Sequence, residues 1–299
     1  MTDYAYNPNR NYKWNYGGPN WKLSRSKIDL FGECPRCFYI DNKLGTKRPS
    51  IPAFLINSAV DAQLKNEFDG YRRAGEAHPL QLEYGLDAIP ATHTQLDTWR
   101  ENFEGVMYLH SQTGLLVSGA IDDLWIDSNG NYIVVDYKAT AKSEPVTALS
   151  GGWHEGYKRQ MEVYQWLLRQ NGLKVSDTGY FVYATGRFDQ PSFDKVIEFD
   201  INLIPYTGSD AWVEKTLYQI KDCLESSVIP DSGASCEYCA WYMARQSHMD
   251  QTSSTQMTQS DLRPKTTNFK PYPTKRTTKK ASVHKSSQFK SDNNQSALF

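Results

Sequence analysis

The chain has 299 residues, 39% of them hydrophobic, with 33 Lys and Arg against 34 Asp and Glu. That length allows one large domain or two small ones, and the near-neutral total gives no overall sign of a nucleic-acid or membrane-surface binder. No apolar run approaches the roughly 20 residues of a membrane span, and the N-terminus lacks the charged-then-apolar pattern of a secretory signal, so a soluble, cytoplasmic protein is expected.

Residues 1–23 are rich in Asn, Tyr and Gly without a period and read as an irregular arm, either disordered or laid loosely on the core or on bases. Ser26 and Asp29 resemble a capping box. Ile28, Leu30, Phe31 and Cys34 then give a helical period, which continues beyond Pro35 into Phe38-Tyr39-Ile40. A Pro-containing loop around Lys47 to Pro52 leads to a helix over Ala53 to Arg73, and a second helix is predicted from about His93 to His110. A strand from Leu115 continues to Ile126. Asn129-Gly130 then signals a tight hairpin turn, because such a turn needs positive φ at its centre, and Tyr132 to Lys138 forms the returning strand. Beyond Gly151-Gly152 a helix spans Glu155 to Gln170. Strands at Tyr180 to Ala184 and Lys195 to Ile201, a helix from Asp210 to Ser226 and a loop from Pro230 to Cys239 follow. From Gln251 onward the chain is Ser, Thr, Gln, Lys and Pro, too polar to bury a core, and is expected to be disordered. The segment His248 to Phe299 carries nine Lys or Arg against three acids. It reads as a solubility tail or as a nonspecific phosphate contact acting through counterion release.

The hairpin carries the chemistry. Side chains alternate along a strand, so Asp136 and Lys138 share one face and Tyr137 takes the other. By itself this is an ordinary surface ion pair. Asp122, on the partner strand, adds a second carboxylate. Two carboxylates and a lysine on one face suit a hard divalent cation with an ammonium beside it. Asp123 is a rival for Asp122, since a bulge would exchange them, but it is read as structural. Gln160 and Tyr164 are four apart on the following helix and share one of its faces.

In this order and spacing, Gly119-x-x-Asp122, a turn, Asp136-x-Lys138 and then Gln160-x-x-x-Tyr164 resemble the PD-(D/E)XK nuclease superfamily, most closely its RecB-like branch. The resemblance covers roughly Ser24 to Cys239. It implies an α/β, restriction-endonuclease-like αβββαβ core with a mixed central sheet flanked by helices, occupying residues 24–247 between the arm and the basic tail. It also implies a metal-dependent deoxyribonuclease, with DNA and replication or repair proteins as partners. Asp122, Asp136 and the Tyr137 carbonyl would ligate Mg²⁺ or Mn²⁺, Lys138 would act on water and phosphate, and Gln160 and Tyr164 would line the cleft. Where the family often places a metal-binding His on the first long helix, this chain has Asp61, an acceptable ligand for Mg²⁺. That departure leaves a noncatalytic nucleic-acid-binding or scaffold module as the alternative.

Four of five cysteines form two Cys-x-x-Cys pairs, Cys34 with Cys37 and Cys236 with Cys239, separated by most of the chain. In an intracellular protein such pairs read as metal ligands before disulfides. Thiolates prefer Zn²⁺ or an iron–sulfur cluster over Mg²⁺. Some RecB-like nucleases hold a [4Fe-4S] cluster with one Cys before the core and three after it, and the resemblance favours the cluster here. The two-and-two split departs from that pattern and leaves Zn²⁺ as the alternative. Cys223, mid-helix, is expected to be a small buried hydrophobe.

Overall fold

The computed structural model describes residues 8–49, 55–192 and 194–254. One compact unit spans Met1–Ser247, and His248–Phe299 forms a second. After a 3-10 turn at Tyr12–Trp14 come strand β1 (Leu23–Ser24) and helices α1 (Arg25–Glu33), α2 (Pro35–Asn42), α3 (Leu55–Ala74) and α4 (Pro79–Glu83). Strand β2 (Ala88–Pro90), helix α5 (Leu96–Arg100) and strands β3 (Val106–His110), β4 (Leu115–Gly119), β5 (Asp123–Asp127) and β6 (Tyr132–Ala141) follow. Helix α6 (Gly152–Gln170), strands β7 (Thr178–Gly186) and β8 (Phe199–Thr207), and helices α7 (Ala211–Glu225) and α8 (Glu237–Ser254) complete the order.

Five strands in the order β2-β5-β6-β7-β8 make the central sheet, parallel between β6 and β7 and antiparallel elsewhere. A smaller sheet, β1-β4-β3, stands beside it. The expected α/β class with mixed sheets flanked by helices is therefore present. Strand alternation sorts the core into two faces. Ile133, Val135 and Tyr137 of β6 join Phe68 of α3, Trp125 and Val182 on one side. Phe68 stacks on Trp125 at 5.4 Å between ring centroids. Val134, Phe181, Tyr183 and Ile204 face the other side, toward α6, α7 and α1. Helix α6 buries Met161, Val163, Tyr164, Trp166, Leu167 and Leu168, because it meets strands of both sheets and so has little solvent-facing surface.

Several expectations are corrected. The segment predicted as one helix from His93 to His110 is α5 followed by β3. Gly105, at φ 68°, turns the chain between them, and a Cβ there would lie 2.6 Å from the Gly119 carbonyl oxygen. The strand predicted to run from Leu115 to Ile126 is cut after Gly119, so β4 and β5 lie in different sheets. Strand β8 starts four residues later than predicted, since Asp194 and Lys195 adopt positive φ in a turn; it then runs through Pro205, which an edge strand tolerates. The first helix breaks at Cys34, with Pro35 opening α2. Ser24, not Ser26, stands at the N-cap of α1, and Asp29 is drawn away to Arg159. The arm is ordered over 8–23: Trp21 donates to Asn42 Oδ1 at 3.1 Å and meets Tyr16 edge-on. Helix α8 begins within the predicted loop and continues to Ser254. Disorder is expected from Gln251 onward, yet 251–254 are the end of α8; 255–299 lie outside the described residues, as do 1–7 of the arm and 50–54.

Asp123, read from the sequence as structural, is fully buried. It pairs with Arg72 of α3 and, at 2.7 Å, with Arg100 of α5, and it accepts the Tyr137 hydroxyl at 2.7 Å. Asp69 binds the same two guanidiniums from α3. Removing one member of such a network leaves buried charge uncompensated. Asp123→Ala should therefore lower stability by about 3–5 kcal/mol, read as a fall in the urea midpoint at unchanged slope.

Candidate active site and cysteine cluster

The β5–β6 hairpin closes through residues 128–131, with positive φ at Gly130 as expected. Gly130, at φ 74°, is its left-handed residue, and its N–H donates to the Asp127 carbonyl at 3.0 Å. The Asp127 carboxylate accepts the N–H groups of Asn129 and Asn131 at 2.9 and 2.8 Å. At the other end of the hairpin, Asp122 lies in the bend before β5, outside the strand itself. The break after Gly119 thus frees Asp122 from strand alternation. Its Oδ2 accepts the Tyr137 N–H at 2.9 Å, and its carbonyl accepts from Arg100 Nε at 3.1 Å. The carboxylate is thereby fastened to the residue between Asp136 and Lys138.

Asp136 is fully buried. Its Oδ1 accepts Gln160 Nε2 at 2.7 Å. Its Oδ2 meets the Lys138 ammonium as an ion pair and has no other partner. Burial pushes this carboxyl up to about 6; Lys138 opposes that rise and Asp122 adds to it. Burial alone would lower the Lys138 ammonium, but Asp136 and Asp122 together hold it above the usual lysine value. Gln160 ties the group together. Its amide nitrogen also donates to the Tyr164 hydroxyl at 3.0 Å, and its oxygen accepts from Lys138 at 3.4 Å. The Tyr164 ring explains the glycine of the first motif: a Cβ on Gly119 would stand 2.8 Å from Tyr164 Cε1.

Asp61, on α3, reaches the same place through Lys65. The Lys65 ammonium lies 2.9 Å from Asp61 Oδ2 and 3.4 Å from Asp122 Oδ1. Burial, then the Asp122 charge, raises the Asp61 carboxyl, with Lys65 opposing. The structure so brings Asp61, Asp122, Asp136, Tyr137, Lys138, Gln160 and Tyr164 together. Three neighbours were missed from the sequence. Tyr157 places its ring 4.6 Å from the Lys138 ammonium; its position three before Gln160 on α6 was the available signal. Lys65, four after Asp61, was signalled in the same way. Arg25, at the start of α1, had no signal. A cavity of about 130 Å³ opens between Asp61, Tyr137, Lys138 and Tyr157, and a larger one of about 750 Å³ lies on the side of Arg25, Lys138 and Gln160.

Buried carboxylate oxygens that only ammonium groups neutralise, next to open space, suit a hard divalent cation. The donor set of Asp122 and Asp136, with Asp61 nearby, fits one.

The four thiols meet at one point. Cys34 and Cys37 come from the break between α1 and α2, Cys236 from the end of the following loop and Cys239 from the first turn of α8. The Cys34–Cys239, Cys37–Cys236 and Cys37–Cys239 sulfurs are 3.8, 3.6 and 3.7 Å apart, and all four lie within 4.8 Å of one another. Burial opposes ionisation of Cys34, but N–H groups of Gly233 and Cys37 at 3.2 and 3.4 Å hold its thiol down to about 7. This thiolate set fits a metal. Cys223 is half-buried against the core, apart from the cluster.

The fold and the acidic, lysine-bearing cleft define a protein of nuclease type. The family model of the PD-(D/E)XK nuclease superfamily matches residues 52–244, and the chain belongs to that superfamily. Its members generally act on nucleic acid with Mg²⁺ or Mn²⁺, although some are inactive. No curated protein gives a significant match. Among the described residues, no helix is long and apolar enough to cross a membrane.

Gly233 packs against the first cysteine pair: a Cβ there would lie 2.0 Å from the Glu33 carbonyl oxygen and 3.2 Å from Cys34 Cα. Gly233→Ala should push the loop off Cys34, lowering bound metal per chain and, because metal binding is coupled to folding, the melting temperature. Elemental analysis with a thermal melt checks both.

Proposed function

We propose that the chain is a Mg²⁺- or Mn²⁺-dependent deoxyribonuclease of the RecB-like branch that hydrolyses phosphodiester bonds in the cleft between β6 and α6. One observation carries the reading. A fully buried Asp136 has one oxygen whose only partner is the Lys138 ammonium, and beside it stands an Asp122 fastened to the intervening backbone.

Asp122 and Asp136 would hold the cation, with the Tyr137 carbonyl as a further ligand and Asp61 in the place of the family's histidine. The chemistry supplied by a cation held there is Lewis-acid stabilisation of the charge that develops on phosphate. Lys138 keeps a positive charge next to the carboxylates, where it orients water and offsets charge on the phosphate oxygens. Gln160 fixes both Asp136 and Lys138 through one amide, and Tyr164 fixes Gln160. Their role is to keep the acid and the base in register. The basic stretch beyond Ser247 adds nonspecific affinity for phosphate. The protein would act in the cytoplasm, alongside replication or repair proteins.

Cleavage of end-labelled single- and double-stranded DNA with Mg²⁺ or Mn²⁺ tests this. Asp136→Ala and Lys138→Ala should each reduce the rate by at least about 10²-fold without lowering bound cysteine-site metal. Parent protein that binds DNA but never cuts it would instead support the noncatalytic module.

For the cysteines we infer a single tetrahedral Zn²⁺. Four thiolates at about 2.3 Å from one ion stand about 3.8 Å from each other; three of the sulfur separations, at 3.6–3.8 Å, match that spacing, and all lie within 4.8 Å. The [4Fe-4S] cluster expected from the resemblance would insert four irons and four sulfides between the thiolates and spread them wider. Purified protein should be colourless and carry one zinc; a brown protein with a band near roughly 400 nm and bound iron would reverse the assignment.

A further inference from the structure

Arg25 opens α1, and its Nε is buried without a hydrogen-bond partner. Among the described residues its side chain makes no hydrogen bond or ion pair. It lines the cavity of about 750 Å³ together with Tyr157, Gln160 and Lys138. Three carboxylates, Asp29, Glu33 and Glu237, line the same cavity, yet none pairs with it. Asp29 is held by Arg159, and Glu33 lies 3.5 Å from Arg48. The other cations at the cleft are also committed: Lys138 to Asp136, and Lys65 to Asp61 and Asp122. A guanidinium keeps its charge throughout the physiological range and offers five donors in a planar fork. The buried Nε is unfavourable without an acceptor, and the rest of the fork faces the cavity, so an anion entering there would satisfy it.

The topology fixes where that anion sits. Strand β1 runs parallel to β4, with Ser24 opposite Ser118. The next residue, Arg25, therefore enters the cleft beside Gly119, the first residue of the Gly-x-x-Asp motif. Its charge reaches both Asp136 and Tyr164, favouring their ionised forms.

We propose that Arg25 binds substrate phosphate, its guanidinium donating to the non-bridging oxygens of the phosphodiester that lies beside Lys138. This rests on the nuclease reading and adds to it the group that holds the phosphate. A guanidinium can grip two oxygens at once, which a lysine cannot. It sets the orientation of the phosphorus relative to Lys138 and shares the charge that grows during hydrolysis.

The test compares Arg25→Gln and Arg25→Lys with the parent, each as the full chain with its cysteine metal in place. Affinity for a short fluorescent single-stranded DNA and for its duplex is measured by anisotropy across a salt series, with no divalent cation added. Arg25→Gln should weaken binding roughly tenfold and reduce the slope of log K against log salt by about one. Arg25→Lys should keep the slope. With Mg²⁺, kcat/KM should fall about 10²-fold in Arg25→Gln and remain well below the parent in Arg25→Lys. A folded, metal-loaded Arg25→Gln with parental slope and affinity overturns the proposal. If Arg25→Gln does not fold, full parental kcat/KM in Arg25→Lys overturns it instead, and a clear loss supports it. The nuclease reading fails separately: a parent that binds DNA without cutting it rejects that reading alone, and the salt slope of Arg25→Gln still decides the phosphate contact.

Discussion

A carboxylate with no solvent exposure must be neutralised from within the protein. Asp136 is such a group, and much of the architecture answers its demand. Lys138 can reach it because both side chains emerge from the same face of β6. Gln160 can reach it because α6 crosses that face. The helix is held there by its buried apolar side chains, and Gly119 leaves the Tyr164 ring room to approach β4. A motif residue with no side chain and a motif residue with a large one are thus two halves of one contact. On the opposite face, Asp123 and its two arginines hold α3, α5 and Tyr137, so that the strand carrying Asp136 is fixed from behind.

The chemically dense parts of the fold were legible in the sequence, and for a physical reason. The alternation that puts Asp136 with Lys138 and against Tyr137 is a property of any strand, and the four-residue step from Gln160 to Tyr164 is a property of any helix. Asp123 was correctly assigned a structural place. What escaped depended on where strands stop. Nothing local announces that β4 and β5 belong to different sheets; the apolar run continues across Gly119, and only the second sheet makes the interruption necessary. That interruption is also what delivers Asp122 to the Tyr137 amide. The His93–His110 segment failed for a similar reason. Its spacing suits a helix, and pairing of Val106 to His110 with β4, five residues against five, overrides the local preference. Arg25 was invisible because its meaning lies in what does not surround it.

The two ionic sites differ in kind. At the oxygen site the donors are carboxylates partly neutralised by lysines, a hard donor set. At the sulfur site four soft donors converge within 4.8 Å, with backbone N–H groups turned toward one of them, a donor set that suits a soft or borderline metal. The helix that opens with Arg25 ends at Cys34, so the same nine residues link the clamp to the cleft.

That linkage bears on how the molecule is born. Cys37 is synthesised 199 residues before its partner Cys236. Until then α1 has no anchor at its far end, and the wall of the cleft that bears Arg25 stays unfinished. The cleft wall is thus completed only after residues from the two ends of the folded unit have come together.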